Sequence, residues 1–589
     1  MKYIKQLIVS SIILVTIIGC KGDLLDLNPY GEVGSGKMWS TENLADQGIT
    51  AIYSALRNRE VGSLYYYDCY ASSTTTRDED EAILFNKVTT NDGMFSNSWR
   101  QHYEGIHRAN DAIFNLDKAP ISPEKYARLI AESKFLRAYY YYKLNILFKG
   151  VPLYLEPVEP DKANNPRETE EAIWKVIEKD LTDCISEAHF PDKYKKGSGD
   201  FGRATKSAAY ALRGKAYMYQ KEWAKAEADF KKVGDLGHSL FQGGYKQLFK
   251  EANEQSDEMI FSVQHIGLSG YGNDISFRFG SRATFGSCWN TYLPSTDFVD
   301  SYTYANGKPF DWNELFPGWD TKDPAWRAVY FLRDGMTEKE IKSIKVVQKN
   351  KAGEEMDMSE YLPTGNEERI LQAYNDRDPR LAASIITPYS DYNGAVGSTG
   401  FTYVLRWPYR GFDEAYPYDL RTDTNNRYYY LYRKFVAEGP SEISNRSYSP
   451  IDFPLIRYAD VVLNLAEVLN EQDKVDEAVT YVNMVRERAG VALLNSNEYT
   501  KVNGQDDLRE RIRDERRWEF NGEGVTFFDE LRWKTWEETK FFEGAGLKQI
   551  WGQNQYRYTW SGDRVYHWPI PRVAIERNSN LKQSPGWID

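Results

Sequence analysis

The sequence predicts a mainly α-helical protein, with helical hairpins as the scaffold and large irregular loops with short strands carrying the candidate ligand site. Three observations predict it. Apolar residues recur at helical spacing through the first 235 residues. Two helical hairpins far apart in the chain share one plan. Between about residues 261 and 449 the periodicity fades into sequence rich in Gly, Asn, Asp, Ser, Tyr and Trp, which reads as long loops with short strands.

The chain opens "MKYIKQLIVSSIILVTIIGC". Lys2 and Lys5 form a basic start, and Leu7 to Ile18 is mostly apolar and uncharged. A helix of that length rises about 18 Å, short of a hydrocarbon core of about 30 Å. Basic start, short apolar stretch and small residues at the end make a secretory signal peptide, residues 1–19. Ile17-Ile18-Gly19-Cys20 resembles a bacterial lipoprotein box, in which the cysteine thiol receives a diacylglycerol. The alternative is an ordinary signal peptide with an incidental cysteine. Two or three acyl chains on Cys20 suffice for stable anchoring, and residues 20–36 read as lipidated cysteine and polar tether. No later stretch reaches eighteen consecutive apolar residues, so no membrane-spanning helix is predicted.

The body, residues 37–589, is read as one domain with a helical part (about 37–260) and a loop-rich and C-terminal part (about 261–589). Ile106, Ala109, Ile113 and Leu116 mark one helix face. Ala131, Phe135, Ala138 and Tyr142 mark a second, and Ile173, Ile177, Leu181, Cys184 and Ala188 a third. Tyr210, Gly214, Tyr217, Trp223, Ala226, Phe230 and Val233 outline a hairpin. Val462, Ala466, Leu469, Val475, Ala478, Val482 and Val485 outline another, each 252 residues after its counterpart. The plan resembles tetratricopeptide repeats, where small residues let antiparallel helices approach closely. One such unit cannot bury its own face, so the two must pack on each other or on neighbouring helices.

The net charge of −12 disfavours a nucleic-acid partner. Cys69, Cys184 and Cys288 form no C-x-x-C pair, and the six histidines no H-E-x-x-H, so no metal or other cofactor is expected. A disulfide among the three cysteines stays open. Aromatic residues are abundant: 43 Tyr, 16 Trp and 27 Phe. Most must be structural, but Tyr and Trp also offer flat apolar faces with polar tips that suit sugar rings. "RDERRWEFNGEGVTFFDELRW" is dense in carboxylates, yet arginines lie within a helical turn, which favours paired, ionised acids over general acid–base work. "DPRL" at Asp378 reads as a turn opening a helix at Pro379. "YYYDCYASSTTTRDEDEAILF" mixes aromatics, hydroxyls, Arg77 and acids without period. It is either a solvated acidic loop or a polar ligand surface. A structural calcium at "DEDE" stays open, although the run lacks the alternation and glycine of an EF-hand.

Segments in order along nearly the whole chain resemble the SusD/RagB family of outer-membrane nutrient-binding lipoproteins. They are the lipid cysteine with "LDLNPYGE", "YEGIHRANDAI" after Trp99, "AESKFLRAYYYYKLNILFKGVPLY" and "GRATKSAAYALRGKAYMY". "NDRDPRL", "FPLIRYADVVLNLAEVLN", "NMVRERAG", the Arg513–Trp533 block and "HWPIPRVAIERNSNLKQSPGW" follow. Ser584 stands where the family ending has Asn. The resemblance implies tetratricopeptide-like hairpins on one side and ligand loops on the other, with no catalysis. It implies a bacterial outer-membrane, cell-surface lipoprotein that hands a glycan to a SusC-type TonB-dependent transporter. A peptide cargo and, at greater distance, a surface glycoside hydrolase are the alternatives. By region rather than by tight motif, it implies ligand-binding candidates Asp68, Arg77, Asp78, Trp99, Trp289, Tyr292, Trp312 and Trp319.

Overall fold

The computed structural model describes residues 35–411, 416–425, 427–442 and 445–588. Cys20, with the signal peptide and nearly all of the tether, lies outside the described residues. Six helices of thirteen residues or more fill the first half of the described residues: α1 (Glu42–Ser54), α2 (Gly93–Asn115), α3 (Pro123–Phe148), α4 (Glu170–Ser186), α5 (Lys206–Tyr219) and α6 (Trp223–Asp235). Four of them start alike. The hydroxyls of Thr41, Ser122, Thr169 and Thr205 accept from the first-turn N–H groups of Leu44, Lys125, Ala172 and Ala208. Each satisfies a donor the helix itself leaves unpaired. α3 also carries Pro123 in its first turn, and the chain leaves it through Lys149 in a left-handed conformation. The face of α4 holds from Ile173 to Cys184, but the helix stops at Ser186, so Ala188 lies beyond it and is exposed.

α3 is the axis of the core, buried almost continuously from Leu129 to Phe148. Its tyrosines show where many of the 43 are spent. Tyr140 donates to the Ile52 carbonyl (2.6 Å) and Tyr141 to the Tyr154 carbonyl (2.8 Å), so the rings fill the interior while their hydroxyls remain paired.

The chain then leaves the helical stack and returns as α7 (Tyr458–Asn470), α8 (Val475–Ala489), α9 (Gln505–Phe520) and α10 (Thr526–Trp533). The two repeated hairpins are α5–α6 and α7–α8, and they stack directly, α7 against α6. Lys215 pairs with Asp460 and Lys474 with Glu227, both at 2.7 Å, across that junction. The stack runs without interruption from α1 to α8, each helix packed on the next. This is the mainly α, tetratricopeptide-like architecture expected.

Gly214 sets the spacing of the first hairpin. A Cβ there would lie 2.6 Å from the Phe230 ring, so Phe230 occupies the space the glycine leaves. In the second hairpin the corresponding pair is Ala466 and Val482, a small increase on one side matched by a decrease on the other. Gly214→Ala is expected to cost stability at the lower end of the roughly 1–3 kcal/mol seen for overpacking. Adding Phe230→Val should restore part of it, measured by urea denaturation. An unaffected single variant would mean that the hairpin yields at this point.

The excursion between α6 and α7 is closed at its neck. Strand β2 (Met259–Val263) pairs antiparallel with β6 (Phe453–Arg457), Met259 opposite Arg457 and Val263 opposite Phe453. Beyond the neck lie short helices, β3 (Tyr292–Pro294), and the hairpin of β4 (Asp391–Val396) and β5 (Thr399–Val404). β3 pairs antiparallel with β1 (Thr74–Thr76), which precedes α2. The loops expected here include helices of up to ten residues, such as Glu338–Val347. Asp378 caps the short helix Pro379–Ser384 by accepting from Arg380 N–H, as the "DPRL" reading requires. Cys69, Cys184 and Cys288 are free thiols, all buried. Among the described residues no helix is long and apolar enough to cross a membrane.

Candidate functional site

Four of the eight candidate ligand residues are core residues. Asp68 is fully buried, and its carboxylate accepts from Gly524 N–H (2.7 Å). Burial pushes that carboxyl well above the ordinary range. Tyr292, Trp312 and Trp319 are also buried. Trp312 and Trp319 stack with ring centres 4.6 Å apart, with Phe316 and Phe331 against them, and Trp312 Nε1 donates to Asp300. The physical reason is the same for all three rings. A loop-rich region with few helical faces builds its interior from aromatic side chains.

Arg77, Asp78 and Trp289 are brought together at the surface. The β1–β3 pairing places Thr76 opposite Tyr292, and Arg77 N–H continues it by donating to the Thr291 carbonyl (2.9 Å). The Arg77 guanidinium then donates to the Trp289 carbonyl (2.6 Å) and pairs with Asp78 (3.2 Å). Trp289 is lifted out by its loop. Gly286, Ser287 and Asn290 take positive φ (76°, 60° and 40°), and Trp289 and Asn290 N–H groups donate to the Phe277 and Gly280 carbonyls. Cys288 and Asn290 point inward, and burial pushes the Cys288 thiol up to about 12. Between them the indole of Trp289 remains 45% exposed. It leans on Phe277, ring centres 5.3 Å apart.

Arginines border this pair of rings. Arg282 lies 5.7 Å from the Trp289 ring centre, and Arg446 5.1 Å from that of Phe277. Arg446 also donates to the Gly286 and Ser287 carbonyls (3.0 and 2.8 Å), holding the loop from outside. On the other flank stand Asp78 and Asp80. Burial raises the Asp80 carboxyl above its ordinary value, and Asp78 adds to the shift. The patch thus offers one flat aromatic face bordered by charged donors and acceptors.

Arg282, Arg446 and Phe277 were not among the sequence candidates. Their available signal was arginine interleaved with aromatics and glycines, as in "ISFRFGSRATFG". Trp99 stands elsewhere. It packs on Tyr103 and Phe148, both at 5.1 Å, and with Tyr154 and Pro571 it lines a separate cavity of about 530 Å³. Trp289 does not line that cavity.

The acid-rich helices α9 and α10 hold a buried ion network. Arg457 pairs with Glu258 (2.7 Å), Glu519 (2.7 Å) and Glu523 (2.6 Å). Lys434 pairs with Glu523 (2.6 Å), and Arg380 with Asp378, Glu515 and Glu519. Burial opposes ionisation of Glu519, yet Arg488, Arg457 and Arg380 together hold it well below the ordinary carboxylate range. Glu530 departs from the pattern. It accepts from Ser72 N–H instead of an arginine, and burial raises it to about 7. Among the described residues no group of three or more His, Cys, Asp or Glu is arranged to hold a metal ion.

The molecule is thus a stack of helical hairpins bearing an aromatic, charged surface patch on loops. A family model described as "SusD family" matches residues 257–587, and one described as "Starch-binding associating with outer membrane" matches residues 23–218. The chain belongs to the SusD family. It is 26% identical to SusD-like protein P25 of Formosa agariphila, over 99% of this chain and 98% of that one. It is 23% identical to the starch-binding protein SusD of Bacteroides thetaiotaomicron, over 78% and 72%. Among solved structures, a SusD-like protein of Bacteroides fragilis superposes with a TM-score of 0.72 at 23% identity, covering 96% of this chain and 100% of that one. A SusD-like carbohydrate-binding protein of the same species gives 0.69 at 23% identity, covering 93% and 100%.

Proposed function

We propose that this is a non-catalytic cell-surface glycan-binding lipoprotein that captures its ligand at the Trp289 patch and delivers it to a SusC-type TonB-dependent outer-membrane transporter. The observation that carries the reading is the half-exposed indole standing on Phe277 with polar groups on both sides. A sugar ring stacks its C–H face on such an indole while arginine and aspartate bond to its hydroxyls. Family membership and the names of the relatives, starch-binding and carbohydrate-binding, support the same reading. The paired state of the α9 acids argues against general acid–base catalysis there.

The test is a polysaccharide panel read by calorimetry or affinity gel, with reducing ends assayed in parallel. Binding without release of reducing ends is the expected result. Steady release makes the protein a hydrolase, and signal on peptides with silence on glycans makes peptide the cargo. Cys20 is proposed as the lipid attachment site that keeps the body at the outer membrane, facing outward. Cys20→Ala is expected to leave the purified body's glycan affinity intact while the protein disappears from the membrane fraction. Lost affinity in this variant would contradict the separation of anchor and site.

A further inference from the structure

The arginines around Trp289 differ from those of the buried ion network. In the buried network every guanidinium faces carboxylates. Arg77 pairs with Asp78, and Arg278 with Asp274 (2.9 Å). Arg282, Arg421 and Arg446 have no carboxylate within ion-pair distance among the described residues. Arg446 donates only to the carbonyls of Gly286 and Ser287, and Arg421 only to those of Asp423 and Thr424. Among the described residues Arg282 makes no hydrogen bond, and its guanidinium lies against the Trp289 ring.

A guanidinium carries five N–H donors, so most of the donors of these three are free. The chain as a whole is acidic, at −12, so this cationic flank is not a by-product of composition. The charges also act on one another. Burial, and after it Arg77, Arg421 and Arg446, lower the proton affinity of Arg282. Like charges held together without counterions repel, and an anion placed among them relieves that repulsion. Planar guanidiniums match the oxyanion geometry of carboxylate and sulfate groups, which ring hydroxyls do not supply.

We propose that the Trp289 site takes an anionic glycan, whose sulfate or uronate group is received by Arg282 and Arg446 while its sugar ring stacks on the indole. The proposal rests on the glycan-binding reading above and names the ligand class. Asp78 and Asp80 on the opposite flank fix the orientation, with neutral hydroxyls toward the acids and the oxyanion toward the arginines.

The test titrates the mature protein with dextran, dextran sulfate, alginate, starch and laminarin by calorimetry at low and moderate salt. Dextran and dextran sulfate share one backbone and differ in sulfation, and dextran sulfate against alginate compares sulfate with uronate. At least one charged polymer is expected to bind tenfold or more tightly than the neutral ones, with affinity falling as salt rises. Arg282→Gln, which removes no contact within the protein except that with the indole, is expected to weaken the charged ligand by about tenfold. Neutral glycans binding as well as charged ones overturns the anionic inference and leaves the glycan reading standing. So does charged binding that Arg282→Gln leaves unchanged, which is non-specific attraction. Silence on the charged polymers overturns the inference, and silence across all five polymers removes the glycan reading with it.

Discussion

Arg457→Met is expected to destabilise the protein by about 3–5 kcal/mol at neutral pH, the cost of leaving buried charges without their partner. Arg457 is almost wholly buried and touches Glu258, Glu519 and Glu523 at 2.6–2.7 Å. Methionine matches the stem but supplies no charge. Lys434, Arg488 and Arg380 remain, too few for the carboxylates around them. The pH dependence has a definite sign. Glu519 is held below its unfolded value of about 4.3. Its contribution is present above that value and is lost as pH falls through the folded pKa. In the variant, carboxylates that have lost Arg457 protonate more readily in the folded state. The stability gap between variant and parent should therefore narrow as pH falls from 7 toward 4. Urea denaturation at several pH values reads both effects. A variant with an unchanged midpoint at pH 7 would sink the idea that this network holds the neck of the excursion to α9.

Trp289→Ala is expected to weaken glycan binding by about 1–3 kcal/mol, or roughly 5–150-fold, with little change in folding. The variant is clean because the loop is held by backbone groups that alanine keeps. Trp289 N–H donates to the Phe277 carbonyl, and its own carbonyl accepts from Arg77. The indole contributes to the surface and meets Phe277 and the Arg282 guanidinium. Trp289→Tyr should recover much of the loss, since it restores a flat ring at the same place. Calorimetry with the tightest glycan from the panel gives the affinity, and a thermal melt gives the fold. Full affinity in Trp289→Ala with an unchanged melt would move the site elsewhere, first to the cavity beside Trp99.

The helices were legible because burial writes a period into sequence. Tyr210 to Val233 and Val462 to Val485 could be superposed at a fixed offset, and α5–α6 and α7–α8 do stack. The end of α4 was misjudged because Ala188 continues the apolar spacing beyond Ser186, and alanine is indifferent to exposure. The site was legible only in part. Arg77 and Trp289 stood out as residue types, but no local pattern says that Thr76 meets Tyr292 across β1 and β3. Nor does anything local separate Trp289, lifted out by positive-φ turns, from Trp312 and Trp319, folded in. Without helical or strand period, an aromatic residue in a loop carries no mark of which way it faces. Arg282 and Arg446 were overlooked because their meaning lies in what is missing around them, and a sequence does not display an absent carboxylate.

The neck formed by β2 and β6 has a consequence for how such a protein diversifies. Neighbouring strands lie about 4.8 Å apart, so the segment from residue 264 to 452 departs and re-enters at nearly one point. It behaves as a cassette whose two ends are already joined. Its contents can lengthen, shorten or be exchanged while the helical stack keeps its register. Trp289, Phe277, Arg282, Arg421 and Arg446 all travel inside the cassette, and Arg77 and Asp78 stay behind on the host. A transplanted cassette has further seams to match, among them the short pairing of β1 with β3 and the buried ion pairs of Arg380 and Lys434 with Glu515, Glu519 and Glu523. The exposed loops of the cassette can be rewritten while its buried seams with the helical stack stay as they are.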